Sequence, residues 1–137
     1  MQYIAPEVVS IADACLGGLR GRSALIIGPD EQRYFYVKLL RRAAMKYVYQ
    51  EDTPFRISSL LPSIQLLISI PSPSQTTPWV TAASIAKGCN GRRTPLLILD
   101  LGRYPSVEEL AGLLPAVCLY TPNDLRHICG KIEVKAS

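Results

Sequence analysis

Short runs of consecutive apolar residues, separated by amphipathic segments, set the pattern of this chain. Three runs are apolar at nearly every position, at residues 24–27, 66–70 and 95–101. Such runs are typical of strands whose two faces are both covered by helices, as in a parallel sheet. Two weaker runs, at residues 47–49 and 117–120, predict further strands.

The segments between these runs predict helices. Residues 6–17 form a leading helix, with Pro6 in its first turn and two glycines at its end. Residues 31–44 place apolar side chains on one face and cations on another, and Asp30 is expected to cap this helix through its carboxylate. The shorter predicted elements are a strand at residues 55–57, a helical turn at residues 58–64, and helices that begin at Pro78, Ser106 and Asn123.

Five or six strands that alternate with helices predict a doubly wound α/β fold with a mostly parallel, Rossmann-like sheet. The strand, capped helix and strand over residues 24–49 make a right-handed βαβ unit. We expect a single domain over residues 1–137. It would comprise the leading helix at about residues 6–17, the sheet and its helices at about residues 23–129, and a short tail at about residues 130–137.

The composition is that of a globular domain rather than a disordered or membrane-spanning chain. Of the 137 residues, 48% are hydrophobic and 19% are charged. No apolar run approaches the roughly 20 residues that a membrane span needs. The first residues have neither the basic nor the apolar region of a secretory signal. We therefore expect a cytoplasmic protein.

The net charge of +4 raises the question of a nucleic-acid partner. The basic pairs are Arg20 with Arg22, Arg41 with Arg42, and Arg92 with Arg93. They lie in three separate segments, without interleaved aromatic residues or an RNA-binding motif, which is typical of solvated faces and loop ends. We therefore do not expect nucleic acid to bind. RNA binding is kept as an alternative that a steep dependence on salt would support.

Four scattered cysteines and one histidine give no sign of a metal site. They are Cys15, Cys89, Cys118, Cys129 and His127, and no two cysteines form a C-x-x-C pair. In a cytoplasmic protein we expect these cysteines to be reduced and mostly buried.

The junction at residues 23–33 is the candidate functional site. It reads as a strand, a tight turn and a helix N-terminus. α/β folds hold a dinucleotide's phosphates at such a junction, because free backbone N–H groups at the helix N-terminus attract anions. In the pattern G-x-G-x-x-G, the second glycine lets the backbone approach the pyrophosphate. The three glycine positions are Gly28, Asp30 and Arg33 in this chain, and Pro29 removes a backbone donor.

Each candidate residue has a structural interpretation beside the functional one. Gly28 is more typical of a turn than of a phosphate contact, and Asp30 of a helix cap. Arg33 is a candidate cation for an anionic ligand. Ser69 and Ser72 follow a strand at the rim where such sheets bind ligands, although such a loop is common without any ligand. Asp100 ends the most hydrophobic strand, where it either has a polar role at the rim or caps a nearby loop.

Two stretches together resemble the NADPH-binding domain of glutamyl-tRNA reductase, the first enzyme of the five-carbon tetrapyrrole route. Residues 19–28 are similar to that family's "L-x-G-K, strand, Gly" segment. Residues 95–101 and 117–125 are similar to its "I-D-I-A-V-P-R" strand and its closing "L-Y-x-I-D-D-L". The resemblance implies a dinucleotide-binding architecture and a link to tetrapyrrole or electron-transfer machinery.

The chain departs from the family at the cofactor positions. The family's G-A-G-E-M-G is G-P-D-E-Q-R here, so only Gly28 and Glu31 are kept. The family's N-R-T, which would face the adenosine 2′-phosphate, is replaced by Glu51, Asp52 and Thr53. Acidic residues there would repel a 2′-phosphate, so NAD fits better than NADPH. The family's catalytic domain and dimerisation helix have no counterpart in these residues, so we expect no catalytic residue.

These features predict a stand-alone, divergent domain that has lost cofactor binding and acts as a non-catalytic interaction or structural subunit. The alternative is an NAD- or NADP-binding oxidoreductase subunit that another chain completes. We expect another protein or a second copy as partner, and Tyr34, Phe35 and Tyr36 on the first crossover helix are candidate contacts. If a dinucleotide binds, its candidate residues are Gly28, Asp30, Glu31, Arg33, Glu51, Ser69, Ser72 and Asp100.

Overall fold

Five parallel strands in the order β2-β1-β3-β4-β5 form the sheet. The computed structural model describes residues 5–136, and side chains from residue 5 to residue 129. The strands are β1 Ser23–Ile27, β2 Tyr47–Glu51, β3 Leu66–Ser69, β4 Leu96–Asp100 and β5 Val117–Tyr120. The predicted doubly wound, Rossmann-like sheet is confirmed.

Helices cover both faces of the sheet. The α-helices are α1 Ala5–Leu16, α2 Asp30–Arg42, α3 Ile57–Leu60, α4 Ala82–Gly88 and α5 Pro122–Ala136, and 3₁₀ helices span Pro54–Arg56, Leu61–Ser63 and Glu109–Leu113. Buried side chains of α1, α2 and α5 pack on one face, and those of α3, α4 and Glu109–Leu113 on the other. Among the described residues, no helix is long and apolar enough to cross a membrane.

The consecutive apolar runs are buried on both faces, as the sequence predicts. In β1, Ala24 and Ile26 join the core under α1 and α2, while Leu25 and Ile27 join the opposite core. Strands β1, β3 and β4 are enclosed, whereas β2 and β5 are the outermost strands of the sheet. Only these two outermost strands are partly exposed.

Several predicted elements differ in the structure. The strand expected at residues 55–57 is instead a 3₁₀ helix at Pro54–Arg56 that leads into α3, since Pro54 suits a first helical turn. The helix expected from Pro78 begins at Ala82, where the Thr81 side chain accepts a hydrogen bond from the Ser84 N–H. The final helix continues to Ala136 through the residues expected to form a tail.

The parallel strands give the sheet two chemically different edges. The carboxyl ends of all five strands lie at one edge, here called the carboxyl edge, and the amino ends lie at the opposite, amino edge. The carboxyl edge carries most of the candidate site residues, because each of them ends a strand or begins the loop or helix after it.

Candidate functional site

Gly28 is held in a crowded turn directly after β1. Its φ is +154°, and its N–H donates to the Glu51 carbonyl at 3.0 Å. A Cβ at this position would collide with the backbone carbonyl oxygen and the Cβ of Ile70. Close approach of the chain after β3 therefore requires glycine here, whether or not a phosphate binds.

The side chain of Arg33 folds back from α2 over this turn. Its Nη1 donates to the Gly28 carbonyl at 2.5 Å and to Asp52 Oδ1 at 2.6 Å, and its Nη2 donates to Asp30 Oδ1 at 3.0 Å. Its Nε donates to Gln50 Oε1 at 3.3 Å. The residue is only 8% exposed, so a guanidinium is buried at the point where the phosphate-binding pattern has its third glycine.

The contacts of Arg33 also explain why the predicted role of Asp30 as a helix cap is wrong. Pro29 is the N-cap of α2, and the cap makes no side-chain hydrogen bond. The carboxylate of Asp30 lies inside the first turn of α2 and instead accepts from the guanidinium three residues later.

Replacing Arg33 by alanine is expected to lower the free energy of unfolding by roughly 2 kcal/mol, because the buried Gly28 carbonyl loses its charged donor. Asp30 and Asp52 are exposed and can be rehydrated, which limits the loss. Urea denaturation measures the change. Arg41→Ala, an exposed arginine on the same helix, is the control and should stay within about 0.5 kcal/mol of the wild type. Equal losses in the two variants would contradict a structural role for Arg33.

The acidic residues at the carboxyl end of β2 form ion pairs with arginines of the same chain. Glu51 Oε1 accepts from Arg56 Nε at 2.7 Å, and this hydrogen bond raises the pKa of Arg56. Asp52 is paired with Arg33 at 2.6 Å. Glu31 is exposed in the first turn of α2, where its charge suits the helix dipole.

Asp100 and Ser69 belong to a second, buried network. Asp100 is 1% exposed and accepts from the N–H groups of Gly102, Ser106 and Val107 at 3.0, 2.8 and 2.9 Å. The Ser106 hydroxyl also donates to Asp100 Oδ1 at 2.6 Å. Asp100 therefore caps the loop after β4, the second of the two roles that the sequence leaves open.

Ser106 and Trp79 complete this network, and no local sequence pattern indicates either role. The Trp79 indole N–H donates to Ser69 Oγ at 2.9 Å, and Ser69 Oγ lies 2.8 Å from Ser106 Oγ. The predicted helix at Ser106 is wrong, because the serine bonds to Asp100 and a 3₁₀ helix begins only at Glu109. Ser72 is exposed and bonds to Ser74 in the loop after β3.

A cavity of ≈ 750 Å³ lies beside the Arg33 cluster, between α1, α2 and the loops that follow β3 and β4. Most of its lining is apolar, and Gln32 and Arg103 add polar groups. The residues that line it include Pro6, Gln32, Phe35, Tyr36, Pro71 and Arg103.

The cysteines are less buried than the sequence predicts, since Cys15 and Cys118 are exposed and only Cys129 is fully buried. Cys15 lies 3.3 Å from the Tyr120 hydroxyl, and this hydrogen bond is the main cause that raises the pKa of Tyr120 to about 12. Among the described residues, no three His, Cys, Asp or Glu side chains are grouped to hold a metal ion.

Curated relatives match most of the chain. A glutamyl-tRNA reductase from Methanospirillum hungatei is 26% identical over 91% of the chain and 35% of its own length. One from Methanocella arvoryzae is 24% identical over 91% of the chain and 33% of its own length. The chain thus spans about a third of the length of the curated relatives it matches. No protein-family model matches it.

Solved structures show the same fold. Glutamyl-tRNA reductase from Methanopyrus kandleri superposes with a TM-score of 0.77 at 20% identity, over 96% of this chain and 37% of that one. The chain resembles the NADPH-binding domain of glutamyl-tRNA reductase. The Trypanosoma brucei methylenetetrahydrofolate dehydrogenase-cyclohydrolase, solved with NADP, has a TM-score of 0.60 at 16% identity, over 86% of this chain and 43% of that one.

The comparisons confirm the resemblance that the sequence predicts, including its extent over nearly the whole chain. The structure places Gly28, Asp30 and Arg33 together, and it adds Asp52 to them. Ser69 and Asp100 meet in a separate network through Ser106. The candidate residues are therefore not joined in one hydrogen-bonded network.

Proposed function

We propose that this chain is a Rossmann-like domain whose own Arg33 occupies the dinucleotide phosphate site, and that it acts as a non-catalytic interaction or structural subunit. One observation carries the proposal. The Arg33 guanidinium is buried against the Gly28 carbonyl, with Asp30 and Asp52 as its ionic partners.

Charge around this guanidinium opposes a pyrophosphate. One cation and two carboxylates leave the cluster with a net charge of −1, and Glu31 adds another negative charge beside it. A phosphate about 5 Å from one unpaired carboxylate would be repelled by roughly 3 kcal/mol at an effective dielectric constant of about 20. For Arg33 to bind the phosphate instead, it would first have to leave Asp52 and the Gly28 carbonyl.

The carboxylates at the end of β2 are already engaged and are not free to bind the adenosine ribose. In dinucleotide-binding folds, a carboxylate near this position holds the ribose 2′-hydroxyl. Glu51 and Asp52 supply carboxylates of this kind, which favours an NAD-binding subunit as the second candidate function. However, Glu51 is bound to Arg56 and Asp52 to Arg33, so both carboxylates would have to exchange partners.

Exposed aromatic residues on α2 support an interaction role. Tyr34 and Phe35 are 60% and 61% exposed, and their rings meet edge to face at 5.7 Å. Aromatic side chains of this kind are enriched in protein interfaces, and Phe35 also borders the cavity. Tyr36 is 6% exposed, so the prediction that it contributes to a contact through α2 is wrong.

Isothermal titration of the full chain with NADH and with NADPH tests the proposal. We expect no saturable heat with either nucleotide up to about 1 mM, a limit that corresponds to a binding free energy weaker than about −4 kcal/mol. Micromolar binding of either nucleotide would contradict the proposal and favour the oxidoreductase subunit. The enthalpy of dilution into buffer is the control.

A further inference from the structure

The three basic pairs that are separate in the sequence come together in the fold. Helices α1, α2 and α4 all end at the amino edge of the sheet, because each leads into the start of a parallel strand, either directly or through a turn. Each of these helices is followed, or ended, by one of the basic pairs. In the sequence, the separation of the basic pairs argues against nucleic-acid binding. In the structure, all three pairs lie at the amino edge.

Backbone hydrogen bonds join the turns that follow α1 and α2. The Gly21 N–H donates to the Ala44 carbonyl at 3.0 Å, and the Lys46 N–H donates to the Arg22 carbonyl at 2.7 Å. On the other side of β1, Arg92 Nη1 donates to the Leu61 carbonyl at 2.8 Å. Neighbouring strands lie about 4.8 Å apart, so the edge from β2 to β4 is only about 14 Å wide.

The cations of the amino edge form two groups. Some are bonded to backbone carbonyls, and the others are exposed to solvent. Arg22 donates to the Leu16 and Gly18 carbonyls at the end of α1, and Arg92 donates to the carbonyls of Leu61 and Ile64. The other cations here are exposed, and in the described part of the chain none of them forms an ion pair. These are Arg20, Arg41, Arg42, Lys46, Lys87 and Arg93.

Acidic side chains are concentrated at the opposite edge. Of those described, all but Asp13 belong to the carboxyl ends of strands, to the loops after them or to the helix turns beside them. They are Glu7, Asp30, Glu31, Glu51, Asp52, Asp100, Glu108, Glu109 and Asp124. The positive charge at the amino edge is thus both concentrated and free to meet an external anion.

We propose that the amino edge binds the phosphate backbone of a nucleic acid without reading its sequence. Six exposed cations at one end of the domain, on both sides of the sheet, suit phosphate contacts, which supply position and affinity rather than sequence preference. A protein partner would need an apolar centre to its interface. Among the described residues, the large apolar side chain exposed at the starts of β2, β1, β3 and β4 is Tyr47, whose ring Lys46 approaches at 5.5 Å.

Fluorescence anisotropy with a labelled 20-base-pair DNA of mixed sequence tests this proposal. We expect log K to fall with log salt concentration with a slope of about −3.5 to −5.5, as for four to six phosphate contacts at about −0.9 each. The double variant Arg41→Gln/Arg42→Gln should reduce the slope by about 2 and the affinity by roughly tenfold or more at 50 mM salt. A labelled RNA of equal length should show the same loss.

The control variant Arg103→Gln/Arg126→Gln removes the same charge at the carboxyl edge and should change the affinity less than about twofold. Equal losses in the two double variants would assign the binding to net charge and overturn the proposal. Failure to bind the DNA at 20 mM salt would overturn it as well. So would displacement of the probe by poly-glutamate as effectively as by unlabelled DNA, or tighter binding to anionic vesicles.

Discussion

Replacing Asp100 by alanine is expected to lower the free energy of unfolding by about 4 kcal/mol. The carboxylate is 1% exposed and accepts from three backbone N–H groups and from the Ser106 hydroxyl. Without it, these donors remain in a buried loop with no acceptor, and a hydrogen bond to a charged group is worth roughly 1.5–3 kcal/mol. Urea denaturation, with tryptophan fluorescence as the probe, measures the loss.

Two further variants define the cause of this effect. Asp100→Asn keeps the shape but loses one acceptor, so we expect about half of the loss of the alanine variant. Asp13→Ala removes an exposed carboxylate from α1 and should change stability by less than about 0.5 kcal/mol. A loss below 1 kcal/mol in Asp100→Ala would show that the loop does not depend on the carboxylate, which would reopen a ligand-binding role at the rim.

Replacing Gly28 by alanine is expected to cost about 3 kcal/mol or more, since the new Cβ meets the backbone of Ile70 and the residue keeps a φ of +154°. Neither strand end can move without disturbing the pairing of β1 with β3. The same urea experiment measures this change.

Gly112→Ala is the matched control for Gly28→Ala. A Cβ at Gly112 meets Leu119 at 3.5 Å, which is ordinary van der Waals contact. Its effect should stay within about 1 kcal/mol. If Gly28→Ala were as mild as the control, the glycine would not be required by packing, and its retention would point back to a phosphate contact.

The sequence predicts the sheet well because a strand that is buried on both faces has a continuous run of apolar residues. Residues 24–27 and 66–69 have no polar alternation until Ser69, and both runs form enclosed strands. The glycine after β1 likewise identifies the correct junction. Helix limits and short elements are less predictable, because Pro54 and Pro78 are compatible with several local structures and tertiary contacts choose between them.

The contacts within the site could not be predicted, because they depend on how the strands and loops pack against one another. Arg33 reaches Asp52 only because β2 lies beside β1, and Ser106 reaches Asp100 only because the loop after β4 folds back. The sequence predicted a helix cap at Asp30 and a helix start at Ser106, and charged partners three and six residues away replaced them. The basic pairs have the same origin, since their proximity depends on helices that all end at the amino edge.

In the proposed function, Arg33 and its carboxylates take the place of the dinucleotide's phosphates. Titration of NADH into the wild type and into the variant Pro29→Ala/Asp30→Gly/Arg33→Gly, which restores G-x-G-x-x-G, tests it most directly. Circular dichroism first establishes that both proteins are folded. We expect no binding to the wild type up to about 1 mM, and a Kd at least tenfold lower in the variant, a gain of about 1.4 kcal/mol. Micromolar binding to the wild type, weakened in the variant, would contradict the account.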